Sequence, residues 1–134
     1  MALTDATVRR IFEGLEQGDA AAFFSHVAED VDWTVMGTHP LGGRYRTKEA
    51  FRAATFARLA KALPSGAQLR VEHVIVSGDE AVVELRSDAV AKNGMRFDNR
   101  YCWVAQFSGE RIVRVRAYLD SALVARLFAE NPVD

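Results

Sequence analysis

With 134 residues, 49% of them hydrophobic and 26% charged, this chain has apolar material for one core and too little length for two. A net charge of -1 with scattered cations offers no basic stripe, which excludes nucleic acid and anionic membrane as expected partners. Cys102 is the only cysteine, so no intramolecular disulfide can form. No apolar run approaches the ~20 residues that cross a bilayer, and no basic stretch leads into an apolar one near Met1. The expectation is a single soluble, cytoplasmic domain over residues 1–134.

In chain order, Thr4 or Asp5 can cap a first helix in which Val8, Ile11, Phe12 and Leu15 recur at three- and four-residue spacing, with Gly18 as a left-handed stop. Asp19 can cap a short second helix through Phe23 and Phe24, after which residues 31–36 alternate as a strand. Residues 37–43, with Pro40 and three glycines, read as a loop, and an alanine-rich third helix is expected over 47–63. Strands are then expected over 69–77, 80–91, 96–107 and 111–120, joined at Gly78-Asp79, Asn93-Gly94 and Ser108-Gly109. Asn-Gly is the strongest hairpin signal of the three. Ser121 can cap a last helix through Leu127, and residues 131–134 read as a frayed tail.

Strands of ten residues reach ~33 Å, more than a small flat sheet needs, so the sheet must curl. The predicted fold is α+β: a cone-shaped, strongly curved, mostly antiparallel sheet around three N-terminal helices, open at one end. Several segments carry a family resemblance. They are Gly18-Asp19, Asp30-Val31-Asp32-Trp33, the run Pro40-Leu41-Gly42-Gly43-Arg44-Tyr45, Gly78-Asp79, Asn99-Arg100-Tyr101 and Arg116-Ala117-Tyr118-Leu119-Asp120. In this order of elements the chain resembles the nuclear transport factor 2-like (cystatin-like) superfamily, which includes ketosteroid isomerases and SnoaL-like polyketide cyclases. The resemblance implies a ligand-binding cavity and a homodimer formed through the outer sheet face.

It also locates what is missing. The tyrosine, base and protonated acid of the isomerases fall at about Ile11, Val35 and Trp103, all apolar here. Limonene-epoxide hydrolases offer a second comparison, since Arg86-Ser87-Asp88 is similar to their Arg-x-Asp pair, but their last-strand aspartate falls at Ala117.

Two groups of residues are candidates for chemistry. If Glu84, Arg86 and Asp88 face inward, Glu84 or Asp88 is a general acid/base and Arg86 orients it or binds an anionic substrate; the alternative is a salt-bridge row on a solvated face, should strand parity slip by one residue. His39, in the glycine-rich loop at the cone's mouth, is a candidate proton carrier. The expected cavity wall is Trp33, Tyr45, Phe56, Asn99, Tyr101 and Trp103, whose N–H and O–H groups can hold a carbonyl or enolate oxygen or satisfy one another. No cofactor is expected, and no His, Cys, Asp or Glu spacing reads as a metal site. The functional expectation is a cofactor-independent acid/base enzyme (isomerase, cyclase or hydrolase type) acting on a small apolar carbonyl or polycyclic molecule, or else a non-catalytic carrier or sensor of the same shape.

Overall fold

Alternation of buried and exposed side chains leaves the long strands with one apolar face, and such a face needs a second layer to cover it. In the computed structural model, which describes residues 2–66 and 68–133, helices supply that layer. They are α1 (Asp5–Glu16), α2 (Ala20–Phe24), α3 (Lys48–Ala54), α4 (Phe56–Ala62) and α5 (Ser121–Glu130). The strands β1 (Val27–Val35), β2 (Gly43–Tyr45), β3 (Leu69–Ser77), β4 (Glu80–Ser87), β5 (Arg100–Ser108) and β6 (Arg111–Leu119) form one sheet in the order β2-β1-β6-β5-β4-β3. Among the described residues only β1 and β6 pair parallel, so the sheet is mixed and mostly antiparallel, as the sequence predicts.

Local chemistry fixes the helix starts. Side-chain oxygens of Thr4, Asp19, Thr47 and Asp120 accept backbone N–H groups of α1, α2, α3 and α5, each worth about 1 kcal/mol. Asp120, rather than Ser121, therefore caps the last helix, which runs on to Glu130. The expected third helix breaks in two at Thr55, whose hydroxyl donates to the Phe51 carbonyl at 2.7 Å, a back-bond that bends helices. The short β2 is an addition to the expected elements, pairing Tyr45 with Trp33. In β6 a bulge at Val113 hands the inward position to Ile112, which pairs with Phe107.

The connection from β4 to β5 decides which side chains face the helices. A two-residue Asn93-Gly94 turn would set odd residues of one strand opposite even residues of the other. The chain instead makes a three-residue turn, Lys92-Asn93-Gly94, closed by Ala91 N–H donating to Met95 C=O at 2.9 Å, with Gly94 at φ +88°. Odd residues then pair with odd, Val83 with Trp103 and Leu85 with Tyr101. Ala89, Ala91, Met95 and Phe97 continue the buried face beyond the regular strands, packing with Leu59 and Leu63 near α4 and with Val124 and Leu127 of α5. Asn131 is buried as well. Its Oδ1 accepts from Asn93 N and its Nδ2 donates to Leu127 O, so the chain is anchored at this point where a frayed tail was expected; Asp134 lies outside the described residues.

Asn99 joins the sheet to α5. Fully buried, it accepts from Arg100 N at 2.7 Å and Asp120 N at 3.0 Å through Oδ1, and donates to Asp120 O through Nδ2. Leucine in its place would strand two backbone N–H groups. We predict that Asn99→Leu lowers the unfolding free energy by about 2–4 kcal/mol in urea titration; a loss below about 0.5 kcal/mol would show that this latch does not matter.

Candidate functional site

The inward sheet face and the α3–α4 pair meet around a small aromatic cavity of about 40 Å³. β1 contributes Trp33 and Val35, β5 contributes Tyr101 and Trp103, and β6 contributes Ala117 and Leu119. Phe51, Thr55, Phe56 and Leu59 close it from the helices, and Leu41, Leu69, Phe97 and Val124 complete the wall. Burial of this many rings follows from strand alternation: Trp33 and Trp103 both project from the covered face, and Ala117, paired across from Trp103, leaves room between them. Trp33 stacks on Phe51 with centroids 3.9 Å apart and meets Trp103 edge-on at 5.1 Å.

Among these side chains one polar atom stands out. Trp33 Nε1 is fully buried and has no acceptor among the described residues, and an unmade buried hydrogen bond costs roughly 1–3 kcal/mol. Tyr101 is a second potential donor. Burial pushes its phenol up to about 12, against a smaller opposing effect of the Ser87 hydroxyl, so it stays protonated across the neutral range. Tyr45 sits behind Phe51, edge-on at 5.8 Å, and its hydroxyl donates to the Leu41 carbonyl at 2.9 Å; burial raises its phenol too, opposed by Arg58.

The glycine-rich loop presents Leu41, not His39, to the cavity. His39 Nε2 lies 2.8 Å from the Met36 carbonyl and Nδ1 accepts Leu41 N–H at 3.2 Å, which makes the ring the neutral Nε2–H tautomer and commits both nitrogens to bracing the turn. The turn is tight enough that a Cβ on Gly42 would stand 2.3 Å from the Gly37 carbonyl oxygen.

The three-residue turn moves the expected charged row to the other face. Glu84 pairs across from Cys102 and is exposed, and its carboxylate adds to the burial that pushes the Cys102 thiol up. Arg86 lies 3.6 Å from Glu72, which also bonds Arg100 at 3.0 Å, and Asp88 is held by Arg96 together with Asp98. Arg86 and Asp88 thus belong to salt-bridge rows outside the cavity and Glu84 to the same outer face, correcting the expectation that all three face inward. Asn99 is inward but occupied by backbone groups, and it does not line the cavity. Trp33, Phe56, Tyr101 and Trp103 do line it, as do Val35, Trp103 and Ala117 at the positions where catalytic groups of the compared enzymes fall. Phe97, Leu59 and Val124 were not anticipated as wall residues; only the odd parity of Phe97 signalled its direction. No carboxylate, histidine or lysine borders the cavity among the described residues, and no group of three His, Cys, Asp or Glu side chains is placed to hold a metal.

Comparison with known proteins identifies the family and the fold. Residues 8–115 match the SnoaL-like domain family. A curated relative, the dimerizing cyclase phiC of a fungal species (strain ATCC 74256), is 27% identical over 119 residues, covering 86% of this chain but 53% of its own, so the chain spans about half the length of that protein. Among solved structures, an NTF2-like protein from Burkholderia thailandensis E264 superposes with a TM-score of 0.78 at 23% identity, covering 92% of this chain and 95% of its own. TerC co-crystallized with polyporic acid superposes with a TM-score of 0.72 at 19% identity, with 92% and 96% covered. At these identities the superpositions establish the fold alone. The family match over most of the sequence decides membership: the chain belongs to the SnoaL-like domain family, with the nuclear transport factor 2-like fold.

Proposed function

We propose that this chain acts as one domain that binds a small, flat, apolar molecule in the aromatic cavity, with a carbonyl oxygen of the ligand accepting the Trp33 indole hydrogen. The orphaned Nε1 carries this reading. Elsewhere the wall among the described residues is apolar packing or satisfied hydrogen bonds, and a carbonyl placed at Nε1 removes its one buried polar deficit. The type of chemistry follows from the wall. With no carboxylate there among the described residues, a substrate is held and polarised by neutral donors, Trp33 and Tyr101, which stabilise negative charge developing on the carbonyl oxygen as a ring closes. The name of the fungal relative, a dimerizing cyclase, supports a cyclase-type reading. A carrier that binds without turnover is the second reading, favoured by the same lack of an ionised acid or base. Product formation in a ligand incubation separates the two.

The outer sheet face supports a homodimer. Ile75, Val82 and Val104 form one cross-strand row, flanked by Cys102 and Tyr118, and Ile75 and Tyr118 are 52% and 43% exposed. A contiguous apolar row of this kind suits a two-fold interface.

Three measurements test these statements. Trp33→Phe keeps the stacked ring and removes the N–H, and is expected to weaken binding of an apolar ketone such as 2-acetylnaphthalene roughly 5–20-fold by calorimetry; unchanged affinity would remove Trp33 from the site. In sedimentation velocity the wild type should be a dimer and Val104→Arg a monomer, whereas a wild type that is monomeric at every concentration refutes the interface. For Tyr101, an unfolded phenol loses its proton near its ordinary value of 10, while the folded one holds it to about 12. The folded state then binds more protons between those values, so stability is full below pH 10 and falls as pH rises toward 12. Urea titrations at pH 9 and 11.5 should show a smaller fall for Tyr101→Phe than for wild type; equal falls would mean the phenol is not held protonated.

A further inference from the structure

A larger volume lies on the other side of Phe56. A groove of about 850 Å³ runs between the end of α1, the start of α2 and the outer side of α3 and α4, with Leu15, Ala53, Phe56 and Ala57 in its apolar wall. Phe56 borders both the groove and the aromatic cavity. Its ring is only partly buried, edge-on to Phe24 at 5.2 Å. It is also the first residue of α4, directly after the break at Thr55, and no side chain caps that helix. An uncapped first turn opens at lower cost than a helix interior. An apolar cavity that takes up benzene is about 150 Å³, so the inner cavity at about 40 Å³ admits a ring only if its wall moves. Phe56 is the wall residue whose movement joins it to the groove.

The groove also contains one uncommitted cation. Lys48 donates to the Phe24 carbonyl at 2.9 Å and pairs with Glu29 at 3.0 Å, so both charges are occupied. Arg52 lies 4.5 Å over the face of Phe24 and has no carboxylate within ion-pair distance among the described residues. The Phe24 ring is in turn 6.4 Å from Trp33. A single buried ring therefore separates a free guanidinium in the groove from a free N–H in the cavity. Guanidinium groups bind carboxylates through paired hydrogen bonds, and Arg52 is already positioned over an aromatic face.

We propose that the ligand is an elongated apolar acid. Its carbonyl oxygen accepts from Trp33 in the cavity, its body passes through the opening left when Phe56 turns aside, and its carboxylate pairs with Arg52 in the outer groove. The proposal rests on the cavity being the ligand site.

Calorimetry with two probes tests it: 6-acetyl-2-naphthoic acid, and 2-acetylnaphthalene, which lacks only the carboxylate. Arg52→Gln is expected to weaken the acid on the order of 10-fold and to leave the ketone within about twofold. Arg52→Lys should recover part of that loss. Glu49→Gln, which removes a negative charge bordering the same groove, should tighten the acid alone. Phe56→Leu should speed association of both probes in stopped-flow. An equal effect of Arg52→Gln on the two probes, or none on either, overturns the assignment to Arg52; the cavity reading then still stands if Trp33→Phe weakens both. If Trp33→Phe changes neither, or neither probe binds the wild type, both readings fall.

Discussion

The number of residues in one turn sets the chemistry of this molecule. Because Lys92-Asn93-Gly94 closes the β4–β5 arm with three residues, the odd positions of β4 and β5 lie against the helices and the even positions lie outside. Side chains alternate strictly along a strand, so no later contact can reverse that choice locally. The inner face receives Val83, Leu85, Tyr101 and Trp103, and the outer face receives Glu84, Arg86 and Cys102. A turn shorter by one residue would put Glu84 and Arg86 on the inner face in place of Val83 and Leu85.

Much of the architecture is legible because it depends on local patterns. Helix caps at Thr4 and Asp19, the glycine stop at residue 18 and the alternation in β5 are each written within a few residues. The features that escape are those in which one residue changes a count. The bulge at Val113 and the extra turn residue near Asn93 each insert a single position, the break at Thr55 turns on one hydroxyl, and composition carries no trace of these. The cavity was legible in its aromatics, Trp33, Phe56, Tyr101 and Trp103, since large apolar rings on the covered face have nowhere else to go. That Glu84 and Asp88 lie outside the cavity was not legible, because they look the same in sequence whichever face they occupy.

A cavity with indole and phenol groups but no carboxylate narrows the way a member of this fold can act. An indole, and a phenol that keeps its proton to about 12, are poor proton carriers near neutral pH, but they can fix the orientation of an oxygen and favour charge on it, and the low polarity of the surrounding rings strengthens that effect. The loop 36–42 reinforces the same economy. His39, Tyr45 and Gly42 are all used to hold Leu41 in place, so its polar groups build a hydrophobic wall.

The chain contains two tryptophans, and both border the cavity. Its indole emission therefore comes wholly from the cavity wall, with no background from tryptophans elsewhere. A bound chromophore would be excited by energy transfer across a few ångströms, and a new acceptor at Nε1 would shift the emission itself, so the unmodified protein is its own optical sensor for whatever fills the space.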